Sequence, residues 1–190
     1  MKGTIEFLKS FATDRDVASI TPSSKYCVRK LSEHINFSTT DVIVEYGGGT
    51  GVFTKHFLKK MRPDARLFVF ETNDNFYDLL NSIDDDRLTV FHQTVEDLLE
   101  LLPADVVGSV DHVVSGIPFS FFDWEMKIDI LSKTREALRP EGSFLAYQTS
   151  GHLKDPLQEA FGNFTTEFCW KNIPPYFIYD AVNRVNGASS

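Results

Sequence analysis

Cysteine is scarce in this chain: Cys27 and Cys169 are the only two, they stand far apart, and they lack metal-ligand spacing. Reduced core thiols are the expectation, not ligands. The five histidines, His34, His56, His92, His112 and His152, form no His-Glu-x-x-His or similar cluster, so no metal site is expected. No run approaches the roughly 18 apolar residues that a membrane span requires. The N-terminus carries no signal-peptide pattern, and a cytoplasmic location is expected. Lys and Arg are outnumbered, 19 against 27 acids, for a net charge of −8, and they are scattered. Duplex or RNA binding draws its affinity from clustered cations, so no nucleic-acid partner is favoured, although net charge leaves room for a local basic patch. Internal repeats, low-complexity tracts and linkers are missing as well. Only Gly187-Ala188-Ser189-Ser190 reads as a loose tail. With 190 residues, 42% of them hydrophobic, the chain is expected to bury a sizeable core as one domain over 1–190. Its oligomeric state is left open.

What is present is a glycine turn. Glu45-Tyr46-Gly47-Gly48-Gly49-Thr50-Gly51 lies between the apolar run Asp41-Val42-Ile43-Val44 and the amphipathic run Val52 to Leu58. Read as strand, tight turn and helix start, it lets backbone approach a ligand closely, because Gly47, Gly49 and Gly51 carry no Cβ. The turn lacks the Gly-Lys-Ser/Thr ending of a phosphate-gripping P-loop. A second acid, Glu71, closes the next strand-like run, Arg66 to Phe70, where a carboxylate can take both ribose hydroxyls. These residues fit either NAD or S-adenosylmethionine, and a turn that merely packs a helix on a sheet is the bland alternative. An NAD dehydrogenase would normally need a further substrate domain, for which no length remains.

Strands are predicted at 41–46, 66–71, 87–92, 109–115 and 142–149, with helices near 51–61, 74–82, 95–102, 124–138 and 153–161. Alternation of this kind specifies a parallel sheet covered on both faces. Earlier, Ser23-Ser24 can cap a helix over 25–35, with Pro22 ending whatever precedes it. Thr165 to Asn172 and Tyr176 to Asn183 are β-rich runs joined by Ile173-Pro174-Pro175 without a helix, so they are expected to pair antiparallel. The expected class is α/β and Rossmann-like: a mostly parallel seven-stranded sheet, a C-terminal antiparallel hairpin, and helices on both faces. Residues 1–36 form an N-terminal helical region and 37–186 the core. In the first segment Ile5, Leu8, Phe11 and Ala12 recur at helical spacing, Phe7 widens the stripe, and Lys2, Lys9 and Arg15 flank it. Such a helix can lie in a lipid interface or pack over the sheet or the ligand mouth, and periodicity leaves both open.

Glu-x-Gly-x-Gly-x-Gly, followed by an acid ending the second strand, resembles the class I S-adenosylmethionine-dependent methyltransferases. The resemblance implies S-adenosylmethionine as cofactor, with Glu45 near its methionine amino end. It places Gly47, Gly49 and Gly51 under methionine and ribose, Glu71 with Thr72 at the ribose, Thr94 and Val95 along the adenine, and Ser115 at the edge of the cofactor. Amino-group methyltransferases usually carry Asn/Asp-Pro-Pro-aromatic at the end of the fourth strand, whereas this chain has Ser115-Gly116-Ile117-Pro118-Phe119. Together with Pro22-Ser23-Ser24 and Asn172-Ile173-Pro174-Pro175, that sequence resembles the soluble bacterial phospholipid N-methyltransferases, which convert phosphatidylethanolamine towards phosphatidylcholine. The likeness runs from Phe7 to about Asn183. It implies a lipid amine acceptor and peripheral membrane contact through the N-terminal helix. One departure concerns the adenine: relatives usually have Asp-Ala where this chain has Thr94-Val95, and Thr94 to Asp97 also approximates a capping box.

The implied reaction is direct displacement by a neutral amine, so the protein supplies proximity, orientation and electrostatics. Candidate catalytic groups are Tyr26, Ser115, Gly116, Ile117 and Tyr147, through hydroxyls and carbonyls. Phe119, Phe121, Tyr147 and Tyr26 are candidates for an aromatic cage around a quaternary ammonium, with ordinary core packing as the alternative for the phenylalanines. A same-fold methyltransferase acting on RNA adenine or on a soluble small molecule remains open, as does a non-catalytic cofactor-binding protein.

Overall fold

Every residue of the first strand is buried, although its sequence Val-Ile-Val-Glu-Tyr includes an acid, and this double-sided burial organises the molecule. The structure, a computed structural model, describes residues 22–170 and 175–184. The expected helix around Ile5 to Ala12 lies outside the described residues, as does Asn172-Ile173-Pro174. Strands β1 (Val42–Tyr46), β2 (Arg66–Phe70), β3 (Leu88–Phe91), β4 (Val110–Ser115), β5 (Leu138–Gln148), β6 (Thr165–Cys169) and β7 (Tyr176–Val182) form one sheet in the order β3-β2-β1-β4-β5-β7-β6. The first five are parallel. β7 runs antiparallel between β5 and β6, with Gln148 opposite Phe177 and Cys169 opposite Tyr176. Thus β6 points the same way as β5, and its end lies at the carboxyl edge of the sheet.

Period-two alternation sorts side chains into two layers. Val42, Val44 and Tyr46 share one core with Phe68, Phe70, Phe144 and Ala146. This layer is covered by α4 (Leu98–Leu101), α5 (Trp124–Ala137) and α6 (Lys154–Phe161). Ile43 points the other way and joins Leu67, Val69, Val114 and Leu145. That layer is covered by α1 (Pro22–Ser32), α2 (Val52–Lys60) and α3 (Asp74–Asn81). Cys27 and Cys169 are free and buried. No helix among the described residues is long and apolar enough to cross a membrane.

Most boundaries shift by a residue or so, and three elements depart in an instructive way. Helix α1 starts at Pro22, whose missing N–H costs nothing in a first turn, and its end tightens into the bonds Glu33 N to Lys30 O and His34 N to Leu31 O. The helix predicted over 95–102 divides into a 3-10 turn, Val95–Asp97, and the short α4. The cause is local: the Thr94 hydroxyl accepts from Glu96 N and donates to Glu96 Oε2, so its side chain engages Glu96, while Asp97 N donates to the Thr94 carbonyl in the tighter turn. Finally, β5 begins at Leu138, four residues before the expected start, and follows α5 directly. The Asn183 amide donates to the carbonyls of Arg135, Leu138 and Arg139, a clamp from the far end of the chain.

Candidate functional site

The turn after β1 bends through left-handed backbone at Gly47, Gly49 and Gly51, with φ of 75°, 51° and 77°. Gly47 N donates to Phe70 O at 2.8 Å, tying the turn to β2. Its glycines face different surroundings. A Cβ at Gly47 would sit 3.0 Å from Ile117 Cγ2, and one at Gly48 would sit 2.6 Å from Val69 Cγ1 and 2.7 Å from Leu80 Cδ1. At Gly49 a Cβ would meet nothing within 4 Å, so this residue marks the open side of the turn. Sequence pattern singled out Gly47, Gly49 and Gly51 and missed Gly48, whose constraint comes from packing.

Two acids stand beside the turn. Glu71 is buried, and its carboxylate accepts Gly49 N at 2.8 Å and Asn73 N at 2.9 Å, stapling the turn to the end of β2. A carboxylate has about four acceptor positions, so two remain for a ligand's hydroxyls. Thr72, next in the chain, is half-buried. Glu45 is 3% exposed and accepts a bond from Thr54 Oγ1 at 2.7 Å. Burial pushes its carboxyl up from 4.5 to about 8, with the neighbouring Glu71 charge adding to the rise and the Thr54 bond opposing it. At the end of β3, the half-buried Thr94 uses its hydroxyl on Glu96, and Val95 puts its side chain into the core.

On the other side of the edge, β4 runs into Ser115-Gly116-Ile117-Pro118. Ser115 is fully buried and pairs in register with Tyr46 and Ala146, so its side chain shares their layer and points away from Glu45. Its hydroxyl has no hydrogen-bond partner among the described residues. Gly116 N donates to Tyr46 O, and a Cβ on Gly116 would overlap the Tyr147 hydroxyl. The absence of a side chain at 116 is what admits Tyr147 to the end of β4. The Tyr147 ring stacks on Phe53, with centroids 5.1 Å apart and planes at 18°, and meets Tyr176 at 5.8 Å and 89°. Burial raises its phenol above the ordinary range, followed by Cys27, Glu45, Tyr176 and Glu71.

The loop is held by a residue that sequence reasoning missed. Gln148 is buried, donates to Ile117 O at 2.9 Å and accepts Phe119 N at 3.2 Å. Its signal was a polar residue ending an apolar strand, beside a tyrosine already singled out. Phe119 packs against Phe122 and Phe144 inside the α5-side core, so core packing, not a cage, is its place. Phe121 is exposed on the same loop. Tyr26, half-buried on α1, carries the Arg29 guanidinium 5.5 Å over its ring. The structure therefore brings Glu45, Glu71, the glycine turn, Gly116, Ile117 and Tyr147 to one edge and adds Phe53, Tyr176 and Gln148. Among the described residues no cluster of His, Cys, Asp and Glu could hold a metal ion.

No family model matches the chain. The ornithine lipid N-methyltransferase of Singulisphaera acidiphila is a relative, 33% identical over 183 residues that span 94% of this chain and 95% of that protein. The fold is similar to that of the N-methyltransferase NodS from Bradyrhizobium japonicum, solved with S-adenosylhomocysteine. That likeness has a TM-score of 0.73 at 12% identity, covering 95% of this chain and 98% of that one. It is also similar to the Burkholderia thailandensis 1,6-didemethyltoxoflavin-N1-methyltransferase, with a TM-score of 0.70 at 16% identity over 96% of this chain and 87% of that one.

Proposed function

We propose that this chain, which belongs to the class I S-adenosylmethionine-dependent methyltransferases of the phospholipid N-methyltransferase type, methylates the amine of a lipid head group, phosphatidylethanolamine or a close analogue. The observation that carries the reading is the Tyr147 hydroxyl seated over Gly116, beside the acid-lined glycine turn. A donor side and a polar acceptor side thus meet at one edge. The relative named for ornithine lipid supports a lipid amine over a soluble one.

The residues present fit the cofactor. Gly49 opens on space that a Cβ would enter, Glu71 keeps acceptor positions for ribose hydroxyls, and Glu45 has Thr54 as its donor among the described residues. Glu45, Gly47, Gly49, Gly51 and Glu71 would hold it, with Thr72, Thr94 and Val95 alongside. Bound there, S-adenosylmethionine supplies an electrophilic sulfonium methyl. The chain's own task is to orient a neutral amine in line with that methyl. Because burial moves the Tyr147 phenol away from ionisation, its oxygen accepts an amine N–H and aims the lone pair, and the departing proton goes to water. Ile117 O is already bonded to Gln148, which fixes the loop carbonyls against the acceptor.

A lipid acceptor also requires the site to meet a bilayer. Phe121 and Trp124 stand exposed after β4, and Phe168 and Trp170 at the end of β6, all towards the carboxyl edge. Aromatic rings of this kind suit the headgroup region. On this reading the protein works from the cytoplasm as a peripheral enzyme on the inner face of the membrane, with the segment before Pro22 adding to the contact.

The test is incubation with methyl-labelled S-adenosylmethionine and vesicles containing phosphatidylethanolamine, or ornithine lipid, with soluble ethanolamine and RNA as further acceptors. Label in methylated phosphatidylethanolamine is expected. Label confined to ornithine lipid would keep the lipid-amine reading and move the head group. Label only in ethanolamine or RNA would overturn it.

A further inference from the structure

The two fully buried tyrosines have bonded hydroxyls. Tyr46 bonds Thr134 Oγ1 at 2.9 Å and Tyr179 bonds Ser150 O at 3.4 Å, as buried phenols ordinarily do. Tyr147 and Tyr176 are half-buried, and neither hydroxyl bonds any described residue, although burial raises both phenols. Their rings stand at right angles with centroids 5.8 Å apart, and Phe53 backs the Tyr147 ring at 18°, which fixes its plane. Among the described residues the ionisable groups acting on the Tyr147 hydroxyl are Cys27, Glu45, Tyr176 and Glu71, none of them cationic. Two perpendicular π surfaces whose oxygens bond no described residue, beside the Glu71 carboxylate, form a corner suited to a cation.

We infer that Tyr147 and Tyr176, with Phe53 behind, form the binding corner for the ammonium that grows as methyl groups are added, so that the product of one transfer is held for the next. This rests on the amine-methyltransferase reading above and deepens it. The first amine is held by N–H bonds to the phenol oxygens, but each methyl removes one N–H, and a trimethylated nitrogen has none. Ring faces retain their attraction for the cation through all three stages, since the quadrupole acts on charge and not on hydrogens. Tyr176 is a specificity residue of this kind. It starts β7 opposite Cys169, so the insertion of β7 between β5 and β6 is what brings it to Tyr147.

The test is equilibrium titration of phosphocholine into protein saturated with S-adenosylhomocysteine, compared with the uncharged isostere in which carbon replaces the quaternary nitrogen. Binding of phosphocholine and not of its isostere is expected, weakened roughly tenfold in Tyr176→Leu and largely retained in Tyr176→Phe. S-adenosylhomocysteine affinity and thermal unfolding of each variant report on folding, and Phe53→Leu provides a second route to the same corner. On phosphatidylethanolamine vesicles, Tyr176→Leu should accumulate mono- and dimethylated lipid. Equal binding of the isostere, or undiminished phosphocholine affinity in folded Tyr176→Leu and Phe53→Leu, would overturn the corner while leaving lipid methylation standing. Phosphocholine binding without any lipid methylation would leave the corner and overturn the function.

Discussion

Gly48 and Gly49 are neighbours whose replacement should fail in different ways. Alanine at 48 drives a Cβ into Val69 and Leu80, so Gly48→Ala should lose about 1–3 kcal/mol of folding stability. Alanine at 49 meets no protein atom but must hold φ 51°, which costs on the order of 1 kcal/mol, and its methyl enters the open side of the turn. Gly49→Ala should therefore weaken S-adenosylhomocysteine binding more than stability, and Gly48→Ala the reverse. Urea unfolding and calorimetry on the pair check this; matched losses in both would contradict it. The glycine pattern was legible at 47, 49 and 51 because such spacing describes a turn. Gly48 was not, because Val69 and Leu80 reach it from β2 and α3, and such contacts have no local signature. Phe119, open to cage or core from the sequence, lies in the core, and Tyr176, not singled out there, meets Tyr147, because an aromatic residue's type does not tell which side of a sheet it faces.

Alternating strand and helix patterns made the five parallel strands readable, since a crossover helix between apolar runs has few other solutions. Two late β runs without a helix between them also announced an antiparallel pair. Which of the two would lie against β5 was not readable, because both runs can offer an edge; the inner place goes to β7, which buries Ile178, Tyr179 and Ala181, while β6 is largely exposed. That choice sets an element-scale link. His34, just past α1, bonds Asp180 on β7 at 2.8 Å, and Lys30 on α1 reaches Glu167 on β6 at 3.0 Å. The Asp180 bond holds the His34 imidazolium above its usual 6.5, with burial opposing and Glu167 and Glu33 assisting. A raised histidine contributes stability that is complete below 6.5 and lost as pH rises through the folded value. His34→Asn should then cost on the order of 1–2 kcal/mol at pH 5.5 and distinctly less at pH 8.5, by urea unfolding. A cost that grows with pH would contradict the link.

At the scale of the whole molecule, stability and cofactor binding are coupled through Glu45. Its carboxyl titrates near 8 in the fold and near 4.5 when exposed, so between those values the native state binds more protons than the unfolded one. The contribution of Glu45 to stability therefore falls as pH rises across that window. Glu45→Gln should flatten the fall, seen as a smaller drop in unfolding temperature from pH 5 to pH 8 than in the parent protein. An unchanged slope would mean that Glu45 is not held protonated by its surroundings. The glycine turn and its two acids are proposed to hold S-adenosylmethionine, and calorimetric titration of S-adenosylhomocysteine into the parent protein and Glu71→Ala tests this. Removing the carboxylate should weaken binding by about 1–3 kcal/mol, roughly fivefold to 150-fold, while NAD fails to bind either protein. Unchanged affinity in a folded Glu71→Ala variant, or NAD binding as tightly as S-adenosylhomocysteine, would show that these residues do not hold the cofactor.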